Sequence, residues 1–417
     1  MTITYSGDMV TEPKHLDTDF FTDILENALL RNNFEITTIN FTMGSSTGEN
    51  YCSQIYRVKV SYKSTNATGN DGCISVIIKS MPHTEATDFL VDLNVFLKEK
   101  IFYNDVLPRL EVLCKDNVKF APRLYHSLKT PVNTLVFEDL AVSKFEMASR
   151  EKGLDLAHSL MVMNKLGKYH AASVKLFKKV PELQKCFNGG MLADVGLNKD
   201  EGMIMTFFGN NIKALIELIE TWKGYEKITQ KIKTYAKNLK NNLSRSGAVE
   251  ENSFCVLNHG DLWVNNILFK YDDQQKLNDL NFVDFQMSVW NSPGIDLNYF
   301  FYTSIELDIL KNKLDVLIKE YHRSLSETMK ELGIKEIPTY QDIYNEVQKR
   351  QLYGFFANYG VFPVICQDKE HSQDSNLENF KDEEFAKQKL KKIFGSKRLE
   401  ATYRYTLEKF DKMGIFD

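Results

Sequence analysis

The sequence predicts an α+β protein in which a small antiparallel sheet comes first and a larger helical part follows. Before about residue 138, short segments rich in β-branched and aromatic residues alternate with turns of glycine and asparagine, which is typical of strands. After it, apolar residues recur at helical spacing over long stretches. Because 417 residues exceed the length of an ordinary single domain, we predict two domains, 1–138 and 139–417.

One N-terminal helix and five strands are predicted in the first domain. Residues 16–31 carry apolar residues at helical spacing and acidic residues near the start, which indicates a helix. The strands are expected at 34–42, 51–63, 73–79, 118–125 and 134–137. A stretch rich in glycine and asparagine at 65–72 predicts the turn between the second and third strands.

Helices dominate the predicted second domain, at 154–176, 203–243, 305–332, 340–357 and 385–413. His170 falls on an apolar face of the first of these, and we interpret it as a packed structural histidine rather than a catalytic one. Several aromatic residues are candidates for an acceptor pocket and are equally compatible with a core: Phe207, Phe208, Trp222, Trp290 and Tyr299.

Composition excludes several classes of function. A net charge of −4 and a pI near 6.1, without a basic cluster, argue against nucleic-acid binding. No apolar run approaches the ~20 residues of a membrane span, and the first residues lack the pattern of a secretory signal. Six scattered cysteines without a CxxC pair indicate reduced thiols. We therefore expect a cytoplasmic protein that binds neither nucleic acid nor membrane, of undetermined oligomeric state.

The most informative segment joins His259-Gly260-Asp261 to Asn266 and, after a turn-rich hairpin, to Asp284. Phosphoryl transfer needs a carboxylate that orients and deprotonates the acceptor hydroxyl, and hard oxygen ligands that hold Mg²⁺ on the phosphates of a nucleotide. Asp261 is the candidate base or orienting residue, and Asn266 and Asp284 are the candidate magnesium ligands. The alternative is an aspartate that caps a turn beside an ordinary hairpin. The segment from His259 to Asn266 and the later Asp284 occur together and in the expected order, which favours the catalytic interpretation.

The same segment carries a resemblance to a known family. Residues 259–269 read HGDLWVNNILF, residues 283–286 read VDFQ, and Asp296 and Leu297 follow. This resembles the catalytic core of the choline kinase and aminoglycoside phosphotransferase group and, more narrowly, the ecdysteroid kinase-like (CHK kinase-like) family. The resemblance implies a two-lobed protein kinase-like fold, use of ATP and Mg²⁺, and a small-molecule alcohol as acceptor. It also implies that His259 and Asp296 support the catalytic loop.

Four residues around the connection of the first two long strands are candidates for nucleotide binding: Gly44, Ser45, Gly48 and Ser53. A glycine loop between two strands can lay backbone N–H groups and small hydroxyls over phosphates, because glycine permits a close approach. The loop does not match GxGxxG, and an ordinary polar hairpin is the alternative.

Lys79 and Glu99 are predicted to form an ion pair at the nucleotide. Lys79 ends the third strand, and Glu99 lies on the apolar face of a helix predicted around residues 89–103. A carboxylate on a buried face is costly unless a cation neutralises it, and Lys79 is the available partner. The resemblance adds a hinge after the last strand, where the backbone of Glu138 and of Leu140 would meet the adenine.

The expected function is ATP- and Mg²⁺-dependent phosphorylation of a small-molecule hydroxyl, and the family implies an ecdysteroid or related steroid as acceptor. Kinases for choline, ethanolamine, xenobiotic or glucoside hydroxyls share every catalytic residue and are the main alternative. A nucleotide-binding pseudokinase is the second alternative, but it would lack one of Lys79, Asp261, Asn266 and Asp284, which are all present. A protein kinase is disfavoured, because no long activation segment follows Asp284.

Overall fold

The computed structural model describes residues 2–5, 15–30, 32–44, 53–65, 70–81, 88–115, 117–197, 202–367 and 383–417. The described residues form two compact units, one containing those up to Asp88 together with Ala121–Phe145, the other containing Phe89–Phe120 and those from Glu146 onward. The passage from the first unit to the second after Phe145 lies close to the predicted boundary between residues 138 and 139. Residues 89–120 belong to the second unit, so the division into domains 1–138 and 139–417 stays a prediction.

The first unit is a sheet with one helix. Its elements in chain order are β1 (Thr2–Tyr5), α1 (Thr18–Leu29), β2 (Phe34–Met43), β3 (Gln54–Ser64), β4 (Gly72–Met81), β5 (Leu124–Leu128) and β6 (Asn133–Glu138). The strand order is β1-β2-β3-β4-β6-β5, in which β1 pairs in parallel with β2 and the other neighbours are antiparallel. The predicted helix and four of the five predicted strands are confirmed to within three residues at each end.

Alternation of side chains produces the core of this unit. In β3, Tyr56, Val58, Val60 and Tyr62 point inward and are at most 8% exposed, while the residues between them are more exposed. They pack with the buried face of α1 and with apolar residues of the neighbouring strands. Helix α1 begins after Asp17, whose side chain accepts a hydrogen bond from the N–H of Phe20 at 3.0 Å.

Two strands differ from the prediction. β1 was not predicted, because all four of its residues are exposed and the segment therefore shows no apolar alternation. The strand predicted at 118–125 begins only at Leu124. Phe120, inside the predicted strand, is fully buried in the second unit, where its carbonyl accepts a hydrogen bond from the N–H of Phe282 at 2.8 Å.

The second unit is mainly helical. Its elements are α2 (Asp88–Asp92), α3 (Val95–Ile101), α4 (Leu107–Leu113), β7 (Phe145–Met147, at the boundary), α5 (Leu156–Lys179), α6 (Pro181–Lys185), α7 (Asp194–Leu197), α8 (Met203–Glu220), α9 (Glu226–Lys237), α10 (Leu239–Gly247), β8 (Val256–Asn258), β9 (Ile267–Tyr271), β10 (Leu277–Phe282), β11 (Val289–Asn291), α11 (Gly294–Thr303), α12 (Leu307–Asn312), α13 (Leu314–Glu331), α14 (Tyr340–Lys349), α15 (Gln351–Gly360), α16 (Phe362–Ile365), α17 (Glu383–Ile393) and α18 (Lys397–Lys412). Every predicted helical stretch is helical, and several are divided into shorter helices. The α+β class, with an N-terminal sheet and a larger helical part, is confirmed.

Close packing of α5 on α13 and two short strand pairs position the candidate site. At Gly167 of α5 a Cβ atom would lie 2.8 Å from the backbone oxygen of Tyr321 in α13, so only glycine allows this approach. β9 and β10 form an antiparallel hairpin, and β8 pairs antiparallel with β11. The loop between β8 and β9 and the turn between β10 and β11 are thereby brought together. No helix among the described residues is long and apolar enough to cross a membrane.

Candidate active site

A buried carboxylate, that of Asp296 in the first turn of α11, holds the loop after β8. Its Oδ2 accepts from the backbone N–H of His259 at 2.7 Å, and its Oδ1 accepts from that of Gly260 at 2.9 Å. The backbone N–H of Asp296 in turn donates to Asn258 Oδ1 at 3.2 Å. Asp296 is fully buried, so these hydrogen bonds offset its loss of hydration. The structure thus places Asp296 directly beneath the loop, where the resemblance implies a supporting role.

His170 is the third donor to this carboxylate, through Nε2 to Oδ2 at 3.2 Å. Its Nδ1 lies 2.8 Å from the hydroxyl of Tyr321, which donates to it. Burial lowers the pKa of His170 in spite of the neighbouring Asp296, so the ring is a neutral imidazole. A fully buried ring held between two helices has the structural role that the sequence predicts for His170.

His259 links the loop to the segment before Asp284. Its Nε2 donates to the carbonyl of Val283 at 2.9 Å, and its Nδ1 accepts from the backbone N–H of Asp261 at 3.3 Å. These partners require a proton on Nε2 and none on Nδ1. Burial lowers the pKa of His259, which keeps the ring in this neutral form. His259 therefore positions Asp261 through the backbone.

Both oxygens of the Asp261 carboxylate have a donor. The hydroxyl of Tyr299 donates to Oδ1 at 2.5 Å, and Nδ2 of Asn266 donates to Oδ2 at 3.1 Å. The same Nδ2 also donates to the backbone oxygen of Asp261 at 2.9 Å. The double donation fixes the amide of Asn266 so that its Oδ1 faces the opposite direction, where it can serve as an oxygen ligand.

Tyr299 is the contact that sequence reasoning missed, since the sequence suggested only an aromatic of an acceptor pocket. A signal was present, because Asp296 and Tyr299 stand three residues apart on α11 and share one helical face. Because Asp296 on this face supports the loop after β8, Tyr299 on the same face is directed to that loop. Burial, and then the charge of Asp261, raise the pKa of Tyr299, so its hydroxyl stays protonated as a donor.

The β9–β10 hairpin returns the chain to the loop and delivers Asp284. The backbone N–H of Val283 donates to the carbonyl of Asn266 at 3.0 Å, which places the next residue beside the loop. Asp284 adopts a left-handed conformation with φ 70°, unusual for a residue other than glycine and frequent at functional sites. Hard oxygens of one amide and one carboxylate suit Mg²⁺. No group of three or more His, Cys, Asp and Glu side chains that could hold a metal occurs within the described ranges.

The turn after Asp284 is anchored to the helix that carries Glu99. The ring of Phe285 stacks on that of Phe102, with centroids 3.7 Å apart and planes 11° apart. Burial raises the pKa of the Tyr103 hydroxyl, the charges of Glu99 and Asp284 raise it further, and a hydrogen bond from the Asp284 backbone lowers it. Glu99 is 1% exposed, as predicted from the apolar face of its helix. Within this unit, Glu99 and Asp284 therefore lie close to one phenol.

The candidates for nucleotide binding in the first unit are only partly described. Lys79 is 5% exposed, so it is a buried cation rather than a solvated strand end. Gly44 donates its N–H to the carbonyl of Ile55 at 2.8 Å, and Ser53 stands just before β3. Ser45 and Gly48 lie outside the described residues. Because Lys79 and Glu99 belong to different units, their ion pair stays a prediction.

The segment after β6 is held by Asp139, a residue that the sequence did not single out. Its carboxylate accepts from Arg57 Nε at 2.9 Å, from Ser75 Oγ at 2.7 Å and from the N–H of Ala141 at 3.1 Å. The backbone N–H of Glu138 is already engaged with the carbonyl of Arg123 at 2.9 Å. Any contact of Glu138 with adenine would therefore use its carbonyl oxygen, and Leu140 begins the short turn that Asp139 caps.

The aromatic residues proposed for an acceptor pocket are largely core. Phe208 packs against Phe356 and is 5% exposed, and Trp222 packs against Tyr225 and is 7% exposed. Tyr299 contacts Asp261 instead. The core interpretation fits Phe208 and Trp222, so neither indicates the chemistry of the acceptor.

Comparison with known proteins decides the family. Residues 47–334, more than half of the chain, match the ecdysteroid kinase-like family. The chain belongs to this family. The resemblance drawn from HGDLWVNNILF and VDFQ is therefore confirmed. This ecdysteroid kinase-like protein is a phosphotransferase that acts on hydroxyl groups of small molecules.

Several solved structures are similar to this ecdysteroid kinase-like protein. An ethanolamine kinase of Plasmodium vivax is 14% identical, with 93% of this chain and 91% of that chain covered and a TM-score of 0.41. A spectinomycin phosphotransferase in complex with ADP and spectinomycin is 12% identical, with 93% and 100% covered and a TM-score of 0.38. A glucosamine kinase in complex with glucosamine, ADP and phosphate is 12% identical, with 85% and 81% covered and a TM-score of 0.35. No curated protein sequence matches the chain.

Proposed function

We propose that this protein transfers the γ-phosphate of ATP, with Mg²⁺, to a hydroxyl group of a steroid alcohol of the ecdysteroid class. The observation that carries the proposal is the arrangement around Asp261. Its carboxylate is held by Tyr299 at 2.5 Å and Asn266 at 3.1 Å, and the chain returns through the β9–β10 hairpin to set Asp284 beside them. Two observations support this function together. The chain belongs to a kinase-like family, and both oxygens of the Asp261 carboxylate are oriented by hydrogen bonds.

Asp261 is the proposed base or orienting residue. The acceptor hydroxyl donates to its carboxylate, and the acceptor oxygen forms a bond to the γ-phosphorus as the bond from that phosphorus to the β,γ-bridging oxygen breaks. The acceptor proton passes to the carboxylate, and ADP leaves with the bridging oxygen. The fixed carboxylate contributes orientation, which supplies much of the rate in phosphoryl transfer.

Each unit contains candidate residues for the nucleotide or its metal. Asn266 Oδ1 and the Asp284 carboxylate would bind Mg²⁺, which neutralises charge on the phosphates when bound. Lys79, paired with Glu99, would meet the α- and β-phosphates. Gly44, Ser45, Gly48 and Ser53 would cover the phosphates, and the backbone of Glu138 and Leu140 would meet the adenine. The family match supports the assignments that fall within residues 47–334, whereas Gly44 and Ser45 precede it.

The proposal that the acceptor is a steroid rests on membership of the family. Choline, ethanolamine, xenobiotic and glucoside hydroxyls are chemically possible at the same Asp261, because the catalytic residues act on the hydroxyl and not on the rest of the acceptor. We also propose a cytoplasmic location. It is supported by five cysteines among the described residues that are all free thiols, as is usual in a reducing compartment.

The test is release of ADP from Mg·ATP with a matched set of acceptors: a polyhydroxylated steroid, choline, ethanolamine and an aryl glucoside. We expect the steroid to give the highest kcat/KM. The control is Asp261→Asn, which keeps the shape of the side chain and should lower kcat by about 10²–10⁴ with little change in ATP affinity. A preference for choline would overturn the steroid acceptor, and ATP binding without turnover of any acceptor would indicate a pseudokinase.

A further inference from the structure

A cavity of about 290 Å³ lies in the helical unit beside α3 and the residues that follow α6. One wall is apolar and is formed by Leu93, Leu97 and Ile101. Asn188 and Gly189 also line the cavity. None of these residues belongs to the candidate active site.

Lys98 lines this cavity and is 5% exposed. Its Nζ donates to the carbonyl of Gly189 at 2.5 Å, which uses one of the three N–H groups of the ammonium. No carboxylate lies within ion-pair distance of Lys98 in the part of the chain that the structure describes. Burial lowers the pKa of Lys98 to about 8, so the group is still mainly a cation at pH 7. A buried cation without an anion is energetically costly.

The orientation of α3 makes this burial unusual. Leu97, next to Lys98, is 52% exposed, whereas Lys98 is 5% exposed. On an ordinary surface helix the apolar side chain is buried and the long cationic one reaches water. Here an exposed leucine stands at the cavity and a cation lies inside it. A ligand that has an apolar part and a negative charge would match both.

The charges of the lining favour an anion. Two lysines, Lys98 and Lys185, and one acidic residue, Asp92, face the cavity, which leaves an excess of one positive charge. The volume of about 290 Å³ is roughly twice that of an apolar cavity of about 150 Å³ that accepts benzene. The space therefore suits an organic molecule larger than a single ring, with one anionic head.

We propose that this cavity binds a small organic anion whose carboxylate, sulfate or phosphate head pairs with Lys98 and whose apolar body lies on Leu93, Leu97 and Ile101. The head completes the hydrogen bonding of the ammonium, and the body covers the exposed face of Leu97. The site is separate from the proposed transfer of phosphate, so it can be tested without an activity assay.

The test is isothermal titration calorimetry with 2-naphthoate, naphthalene-2-sulfonate, inorganic sulfate and the neutral analogue 2-naphthalenemethanol. We expect both naphthyl anions to bind more tightly than the neutral analogue and than sulfate. Lys98→Met should weaken naphthoate binding at least tenfold, whereas Lys98→Arg should retain it. Lys185→Met, which removes an exposed lysine of the same cavity, serves as the matched control and should have a smaller effect.

The pH dependence gives a second readout on the unaltered protein. Naphthoate binding should weaken as the pH rises through about 8, because the Lys98 ammonium loses its proton there. Asp92, Lys185 and Cys186 also face the cavity, and Cys186→Ser removes the contribution of the thiol. Equal affinity for the anion and the neutral analogue, or unchanged affinity in folded Lys98→Met, overturns the proposal. If Lys98→Met fails to fold, a flat pH profile of the unaltered protein overturns it.

Discussion

Tyr299 is the residue that most changes the description of the site, because its hydroxyl and the amide of Asn266 each bind one oxygen of the Asp261 carboxylate. The hydroxyl of Tyr299 donates to Oδ1 at 2.5 Å, and Nδ2 of Asn266 donates to Oδ2 at 3.1 Å. Two donors on different oxygens hold the carboxylate in one orientation. At the residue scale, this is what a group that orients an acceptor hydroxyl requires.

Replacing Tyr299 by phenylalanine removes one hydrogen bond and keeps the ring. Because the Asp261 carboxylate loses a donor that orients it, we expect kcat to fall by about tenfold with little change in the KM for ATP. The measurement is the steady-state rate of ADP release. Tyr302→Phe is the control, since it removes a buried hydrogen bond to Gln351 from the same helix. An unchanged kcat in folded Tyr299→Phe would show that the contact does not contribute to turnover.

Gly260 cannot be replaced by a residue with a side chain. It has φ +81°, and a Cβ atom there would lie 2.0 Å from the backbone oxygen of Met287. We expect Gly260→Ala to lower Tm by several degrees and turnover by more than about tenfold, because the loop has to move away from Met287. Gly209→Ala in α8 is the control, since nothing lies within 4 Å of the added methyl group and alanine favours a helix. Equal Tm values for the two variants would contradict this prediction.

At the scale of elements, the β9–β10 hairpin and helix α11 assemble the site from three separate segments. The hairpin sets Asp284 beside Asn266, and α11 supplies Asp296 and Tyr299 to the same loop. The motif in the sequence predicted the hairpin and the two aspartates on either side of it, Asp261 and Asp284, because the motif spans a short stretch of chain. It did not predict that 203–243 forms three helices or that Thr2–Tyr5 adds a strand. Those outcomes depend on contacts with other elements, which override local propensity.

The hairpin leads to a prediction about magnesium. If Asp284 and Asn266 bind the metal, Asp284→Ala should raise the Mg²⁺ concentration needed for half-maximal ATP binding at least tenfold, and Asn266→Ala should raise it less. Fluorescence titration of ATP at a series of Mg²⁺ concentrations measures it. Asp273→Ala, in the exposed turn of the same hairpin, is the control and should leave the metal dependence unchanged. Unchanged dependence in both site variants would place the metal ligands elsewhere.

At the scale of the whole molecule, each unit contains one buried charged residue that the sequence assigns to nucleotide binding. Lys79 of the sheet unit is 5% exposed and Glu99 of the helical unit is 1% exposed. Charges this well buried are stable only with partners. The sequence predicts that they form one ion pair at the nucleotide.

A double-mutant cycle tests this pair. The variant Lys79→Met with Glu99→Leu should lose little more activity than either single variant, because both remove the same interaction. The measurement is kcat/KM for ATP in the four proteins, with Tm as a check of folding. Strictly additive losses would mean that the two side chains do not interact.

The sequence by itself determined the family, the α+β class and most strands of the sheet, and it led to the proposed residues of the catalytic loop. Those features depend on local patterns, since alternation, helical spacing and the spacing of five positions from Asp261 to Asn266 are all read along a short stretch of chain. Only the tertiary structure decided that Tyr299 meets Asp261, that Asp139 holds Arg57 and Ser75, and that Lys98 turns into a cavity. Tyr299 and Asp261 are 38 residues apart, and Arg57 and Asp139 are 82 apart. Such contacts follow from the packing of whole elements, which no local pattern specifies.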